Sequence, residues 1–202
     1  TQECLKRTIF PMGKFHKKDI KQMAIDRGYV QLAQKSESYE ICFIPDNDYR
    51  GFLKRRVKGL EEKVRGGDFV SIDGQVLGKH DGYPFYTIGQ RKLGVSLGSE
   101  PTYVVGIKEK ENIVVVGTKE DLKKQEMFVK NINYVKYSKI EDGTQLLAKV
   151  RYKHSGEMAT IYNEEGNLKV LFHNKVHGIA PGQSAAFYDG EDLVAGGFIM
   201  KN

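Results

Sequence analysis

Long apolar runs and clustered cysteines are both absent from this 202-residue sequence. No stretch approaches the roughly 18 apolar residues of a membrane-spanning helix, so we expect no membrane span. The two cysteines, Cys4 and Cys42, cannot form a disulfide framework, and no CxxC pair indicates a metal site. This usage favours a reducing compartment, in which any role for a thiol would be chemical.

Common signatures of nucleotide binding and catalysis are also missing. The sequence contains neither a GxxxxGK[ST] phosphate loop nor a GxGxxG fingerprint. Its five histidines are scattered, and we expect His173 and His177 to lie on either side of an Asn-containing turn. The spacing supports no metal site, no Ser-His-Asp set and no carboxylate pair. The residues therefore predict no metal and no ATP site within the chain.

Positive charge is abundant, with a net charge of +6 and a pI near 9.1. The 32 basic residues are spread along the chain. They favour either a solvated basic surface or a polyanionic partner, with nucleic acid ahead of a membrane. A membrane-surface role would need a basic amphipathic helix, and the short helix predicted over 14–28 is not convincing as one. The hydrophobic content of 40% is typical of a globular protein.

The first part of the chain predicts two short helices. Over residues 14–28, Ile20, Met23 and Ala24 share one helical face, and Gly28 ends the pattern. Periodicity is then lost over 30–45, where a polar loop runs into the apolar segment Ile41-Cys42-Phe43-Ile44-Pro45. A second helix is predicted at 47–57.

The rest of the chain predicts strands. Asp73-Gly74 is a hairpin turn between two short strands, and a further pair lies near 102–107 and 112–117. Charged residues 119–125 are expected to link two β units. Beyond them we predict strands near 127–137, 146–154, 158–163, 167–173, 183–188 and 192–200.

We therefore predict a mainly β fold in three parts. Residues 1–46 form a short helical lead-in with the cysteine loop, 47–122 a small central β domain, and 123–202 a C-terminal β-barrel. No internal repeat or low-complexity tract occurs in the sequence.

Cys42 is the residue with the most chemical promise. A lone cysteine between apolar neighbours can be a buried small hydrophobe. It can also be a reactive thiol, since it follows a polar loop and Lys35 could favour the thiolate. Such a thiolate can accept sulfane sulfur and carry it as a persulfide. For Cys4, we expect a structural or incidental thiol.

Two basic segments are candidate RNA contacts. Arg91 and Lys92 follow Gly89-Gln90 in a possible phosphate-contacting turn. We expect Lys149, Arg151 and Lys153 to share one strand face, with Tyr152 on the other face or at the rim. Basic residues near an aromatic ring suit RNA, although a solvated strand face explains the same pattern.

Several segments, in order along the chain, resemble the tRNA-specific 2-thiouridylases, which convert the wobble uridine of certain tRNAs to 2-thiouridine. The matching segments are Phe10-Pro11-Met12-Gly13, Ile41-Cys42-Phe43-Ile44, Val70-Ser71-Ile72-Asp73-Gly74, Gly78-Lys79-His80-Asp81-Gly82, Tyr86-Thr87-Ile88-Gly89-Gln90-Arg91-Lys92, Tyr103-Val104-Val105, Val150-Arg151-Tyr152, Ala180-Pro181-Gly182-Gln183-Ser184-Ala185 and Gly196-Gly197-Phe198-Ile199.

This resemblance implies a role for each matching site. Cys42 corresponds to the persulfide-carrying cysteine, which receives sulfur from a donor protein fed by a cysteine desulfurase. Arg151, Tyr152 and Gln183 correspond to tRNA-contacting positions, and the Arg91-Lys92 turn would lie in the central domain. The fold implied is a small central β domain followed by a barrel like those of translation factors. The loop before Cys42 departs from the family, since Glu37-Ser38-Tyr39-Glu40 stands where Asp-Ser-Thr-Gly is frequent.

The resemblance also implies a larger enzyme. The start at Thr1 is consistent with a fragment boundary, and the family's N-terminal domain would carry ATP with Mg²⁺ and a second cysteine that attacks or pairs with Cys42. We therefore expect a cytoplasmic, monomeric sulfurtransferase of which this fragment alone is inactive. The alternative is a non-catalytic, translation-factor-like barrel that binds RNA.

Overall fold

A computed structural model describes residues 1–35, 43–44, 46 and 48–201 of the chain. The chain divides into two compact units, residues 1–56 and residues 57–202. None of the described helices is both long and apolar enough to cross a membrane.

The N-terminal unit is helical in its described residues. The second helix begins at Lys17 and ends before Gly28, whose φ of 85° lies in the left-handed region that favours glycine. Both predicted helices are confirmed, and a short helix within 30–45 was not predicted. Few apolar side chains of this unit are buried, whereas Ile9 and Phe10 are 84% and 72% exposed. The helices are α1 (Gln2–Leu5), α2 (Lys17–Asp26), α3 (Val30–Gln34) and α4 (Tyr49–Arg56).

A four-stranded sheet opens the second unit, after helix α5 (Leu60–Val64). Its strand order is β2-β1-β4-β3, with β1 and β4 parallel and the other neighbours antiparallel. Alternate residues of these strands are buried, and Phe69, Val104, Val114 and Val116 form the core. The predicted Asp73-Gly74 hairpin and the later strand pair are both confirmed. The strands are β1 (Gly67–Ser71), β2 (Val76–His80), β3 (Tyr103–Lys108) and β4 (Ile113–Gly117).

A closed six-stranded barrel follows, in the order β10-β5-β8-β7-β6-β9, with every neighbouring pair antiparallel. Inward positions alternate along each strand, so that Phe172 and Phe187 lie fully inside. Burial of each such side chain contributes about 1.5–3 kcal/mol. The predicted mainly β fold with a C-terminal barrel is confirmed. The strands are β5 (Lys123–Tyr134), β6 (Thr144–Lys149), β7 (Glu157–Glu164), β8 (Asn167–His177), β9 (Ser184–Asp189) and β10 (Asp192–Ile199).

Three local predictions were wrong. Strand β6 ends at Lys149, because its ladder with β7 closes at the pair Ala148 and Glu157 and the residues between must form the connection. Arg151 and Lys153 therefore do not share a strand face with Lys149. His173 and His177 both lie on β8, whose end pairs with β5, so no turn separates them. The charged segment 119–125 is not wholly a linker, since β5 begins at Lys123.

Candidate nucleic-acid interface

Strand register gathers several predicted contact residues at one end of the barrel. Lys149 at the end of β6 pairs with Ala186 near the start of β9. Lys123 at the start of β5 pairs with His177 at the end of β8. The connection 150–156, the connection 178–183 and the start of β5 therefore lie at the same end of the barrel. Arg151, Tyr152, Lys153 and Gln183 all belong to this end.

The two ends of the barrel carry opposite charge. We name them the basic end and the acidic end. Among the described residues, the basic end has three acidic side chains, Glu120, Asp121 and Glu157, against seven basic ones: Lys119, Lys123, Lys124, Lys149, Arg151, Lys153 and Lys201. The acidic end has two basic side chains, Lys136 and Lys139, against seven acidic ones: Glu141, Asp142, Glu164, Glu165, Asp189, Glu191 and Asp192. This polarity favours approach of a polyanion to the basic end.

Arg151 is held in place by the neighbouring connection. Its Nη1 donates a hydrogen bond of 2.9 Å to the main-chain oxygen of His177, and its Nη2 lies 3.5 Å from His177 Nδ1. Gly178, with a φ of 79°, leaves room for this guanidinium, since a Cβ there would overlap Arg151 Nη1. The guanidinium keeps its positive charge, and its remaining N–H donors can face a phosphate.

Tyr152 and Lys153 project from the connection beyond β6. The Tyr152 side chain is 98% exposed, so it contributes little to the barrel core. Lys153 is also exposed, whereas the ammonium of Lys149 lies 5.1 Å from the ring centroid of Tyr188. The exposed ring of Tyr152, which Arg151 and Lys153 flank in the chain, can stack on an unpaired base while these two cations contact phosphates.

Two histidines adjoin Arg151. Burial lowers the pKa of His154, and the charges of Arg151 and His177 lower it further. Burial likewise lowers the pKa of His177, with smaller contributions from Arg151, Lys119 and Lys123. Both rings are therefore neutral near pH 7. Sequence reasoning missed this cluster, because it joins the connection after β6 to the end of β8, and these strands meet only through their pairing with β7.

Gln183 ends the connection that precedes β9 and lines a cavity of about 430 Å³. Its N–H donates to the main-chain oxygen of Ala180 at 3.2 Å, and its own main-chain oxygen accepts from the N–H of Ile199 at 2.8 Å. These bonds fix the backbone and leave the side-chain amide as a donor and acceptor at the surface.

Arg91 and Lys92 belong to a different surface. They lie in the segment between β2 and β3 and line a separate hollow of about 240 Å³. The guanidinium of Arg91 lies 5.4 Å from the ring centroid of Tyr103. Lys92 has a φ of 60°, so the predicted turn does contain a left-handed residue. Their contact with RNA remains a prediction.

The two cysteines differ in what the structure describes. Cys42 lies outside the described residues, as do residues 36–41, for which a loop is predicted. Cys4 is free and exposed, with its sulfur 3.2 Å from the hydroxyl of Thr1. Within the described ranges, no group of three or more His, Cys, Asp or Glu side chains is arranged to hold a metal ion.

Comparisons with known proteins agree along the whole chain. Three family models match in order: the tRNA methyl transferase HUP domain over residues 1–46, the tRNA methyl transferase PRC-barrel domain over 50–118, and the aminomethyltransferase beta-barrel domain over 124–199.

Three curated relatives illustrate the similarity of the chain to known proteins. The protein named tRNA-specific 2-thiouridylase MnmA from Cytophaga hutchinsonii is 53% identical over 204 residues, which cover 100% of this chain and 55% of the relative. Proteins of the same name from Amoebophilus asiaticus and Salinibacter ruber are 52% and 48% identical, over 100% and 99% of this chain and 54% and 52% of the relatives. The chain thus spans about half the length of these relatives, and it belongs to the tRNA-specific 2-thiouridylase family, whose C-terminal part it matches.

Proposed function

We propose that this chain supplies the tRNA-binding barrel and the sulfur-relay cysteine of an enzyme that converts the wobble uridine of tRNA to 2-thiouridine. The observation that carries the proposal is the meeting of Arg151, Tyr152 and Gln183 at the basic end of the barrel. Family membership and the names of the relatives support the reaction.

The basic end grips tRNA by two kinds of contact in this proposal. Arg151 and Lys153 neutralise phosphates, which supplies affinity that depends on salt. Tyr152 stacks on an unpaired base, and the Gln183 amide hydrogen-bonds to a base edge or a ribose hydroxyl. Arg151 starts from a fixed position, so that less side-chain entropy is lost on binding. Lys149 extends the charged surface at this end, while Arg91 and Lys92 supply a separate RNA contact on their own surface.

Sulfur enters the reaction at Cys42. Its thiolate attacks the outer sulfur of a donor persulfide, forms a new S–S bond and expels the donor thiolate. On one route, the outer sulfur of the Cys42 persulfide attacks C2 of the uridine, and a second cysteine thiolate then attacks Cys42 Sγ, which breaks the S–S bond and releases the thiouridine. On the other route, the second thiolate attacks Cys42 Sγ first and releases hydrosulfide, which attacks C2. On either route the two cysteines end as a disulfide, which a thiol reductant must reduce before the next turnover.

The activating step requires a separate domain. ATP would adenylate O2 of the uridine with release of pyrophosphate, so that AMP could later leave with the C2–O electron pair. No described residues of this chain provide a recognisable phosphate loop, so we assign ATP and Mg²⁺ to an additional domain of the complete enzyme. We further propose a cytoplasmic monomer that receives sulfur from a donor protein fed by a cysteine desulfurase.

A sulfur-transfer assay tests the relay. The chain is incubated with a cysteine desulfurase, its donor protein and radiolabelled cysteine, and label on each variant is measured. We expect label on the wild type and on Cys4→Ser, and none on Cys42→Ser. Equal labelling of Cys42→Ser would contradict the relay. If Cys42 also resists alkylation in the folded chain, the alternative of an RNA-binding barrel without chemistry is favoured.

A further inference from the structure

A cavity lies between the central sheet and the basic end of the barrel, within the second unit. One wall comes from residues 83–88, which follow β2, and from residues 105–107 of the edge strand β3. The facing wall comes from residues 179–181 and Gln183 in the connection between β8 and β9. Lys124 and Lys201 complete the lining from the barrel, and Glu109 from the sheet.

The cavity wall at residues 83–88 is held rigidly. The N–H of Tyr83 donates to Asn112 Oδ1 at 3.3 Å, and the ring of Tyr86 packs 5.2 Å from that of Phe69. Just beyond, the N–H of Gly89 donates to the main-chain oxygen of Val104 at 2.8 Å. This wall is therefore preformed, which lowers the entropic cost of filling the cavity.

Its lining suits a flat, partly polar ligand. Ile88, Ile107 and Ile179 offer apolar surface, while Thr87 and the Gln183 amide offer donors and acceptors. A volume of about 430 Å³ lies within the range of small-ligand sites and exceeds what one nucleobase needs. Lys124 adds positive charge, whereas Lys201 is paired with Glu109 at 2.8 Å.

Chain continuity joins the cavity to the Arg151 site. The connection 178–183 follows His177, whose main-chain oxygen accepts from Arg151, and ends at Gln183. Gln183 is six positions after His177, so the two residues lie at most about 20 Å apart. A stacked RNA strand covers that distance in about six nucleotides. One RNA strand can therefore contact Arg151 and reach the cavity.

We propose that this cavity receives one unstacked base of the tRNA that binds the basic end. The proposal rests on the proposed function and adds a pocket to it. Among the described residues, the lining contains no cysteine, so the pocket itself supplies no sulfur to the base that it holds. Its role is to fix the register of the tRNA on the barrel through a base taken out of the stack.

Cavity-filling variants test the proposal. Ala180→Trp fills the pocket from the barrel side and Thr87→Trp from the sheet side. Ser138→Trp, at an exposed position in the connection between β5 and β6, is the control. Each variant is titrated with tRNA and with a set of anticodon stem-loops that each lack one base. We expect both cavity variants to bind tRNA on the order of tenfold more weakly than Ser138→Trp.

The stem-loops that lack one base decide what occupies the cavity. Removal of the base at one position should weaken binding to the wild type. The same removal should have no further effect on binding to Ala180→Trp, because that variant has already lost the contact. Wild-type tRNA affinity in both cavity variants, with affinity lost in Arg151→Ala, would overturn the cavity proposal alone. If the loss of affinity in Ala180→Trp adds to the loss from every missing base, the cavity proposal is also overturned. Unchanged affinity in Arg151→Ala would instead overturn the proposed function. Thermal unfolding shows whether each variant is folded. If Ala180→Trp does not fold, Thr87→Trp provides the test in its place.

Discussion

Arg151 donates a hydrogen bond of 2.9 Å to the main-chain oxygen of His177, which joins the connection after β6 to the end of β8. The two residues are 26 positions apart in the sequence. Their contact depends on the pairing of β6 and β8 with β7, since β6 and β8 are not neighbours themselves. The fold thereby orients a cation that we propose to contact tRNA.

Gly178→Ala should move that cation. Left-handed backbone at an alanine costs about 1 kcal/mol, and a Cβ at this position would also overlap Arg151 Nη1. Gly190→Ala is the matched control, because its φ is 60° and no described heavy atom beyond its two chain neighbours lies within 4 Å of the Cβ position. Chemical denaturation should show lower stability for both variants, and only Gly178→Ala should lose tRNA affinity. Equal affinities would contradict this role of Gly178.

Replacement of Tyr152 should weaken RNA binding without destabilising the fold. The side chain is 98% exposed, so Tyr152→Ala removes almost no core contact. Loss of a stacked base costs about 1–3 kcal/mol of binding free energy. Fluorescence anisotropy with a labelled stem-loop should show this loss for Tyr152→Ala, and little change for Tyr152→Phe. The control is Tyr162→Ala on β7; if it weakens binding equally, the effect is not stacking at Tyr152.

The polarity of the barrel predicts where charge reversal matters. Lys153→Glu at the basic end should lower tRNA affinity and reduce the slope of log K against log salt by about one. Lys139→Glu at the acidic end should leave both quantities near wild type. Binding measured at several salt concentrations provides the test. Equal effects of the two variants would mean that net charge alone governs binding.

Protonation of His154 and His177 at lower pH should lower the stability of the fold and raise its affinity for tRNA. Burial and Arg151 lower the pKa of both rings in the folded chain. Below about pH 6.5 the unfolded chain therefore binds more protons, and the free energy of unfolding falls as pH falls. Bound phosphates favour the protonated rings, so tRNA affinity should rise over the same interval. The carboxylate of Glu157, which raises the pKa of His154, is present with and without tRNA.

A double variant checks this assignment. His154→Asn with His177→Asn should flatten both pH dependences between about pH 7.5 and pH 5.5, while His16→Asn should leave them unchanged. Unfolding and stem-loop binding are measured across the interval. A wild-type dependence in the double variant would assign the effect to other groups.

The sequence predicted the barrel better than its functional end. Alternating apolar residues and turns such as Asp142-Gly143 and Asp189-Gly190 are local signals, so the strands could be predicted from them. The end of β6 could not be predicted in this way. The alternation in the sequence continues through Lys153, whereas the ladder between β6 and β7 closes at the pair Ala148 and Glu157. Tertiary pairing therefore overrides the local pattern.

The candidate site depended on the same non-local information. Arg151 and Gln183 were predicted singly, by resemblance, and nothing in their sequence separation brings them to one end of the barrel. That placement follows from the pairing of Lys149 with Ala186. His177 and Gly178 were missed because their role arises only from contact with Arg151.

The most direct test of the account is the 2-thiouridine content of tRNA made by the full-length enzyme. Cys42→Ser and Cys4→Ser versions each replace the wild type in cells, and nucleosides from their tRNA are quantified by mass spectrometry. We predict that Cys42→Ser retains tRNA binding and forms no 2-thiouridine, whereas Cys4→Ser forms it normally. Wild-type levels of 2-thiouridine in the Cys42→Ser cells would contradict the account.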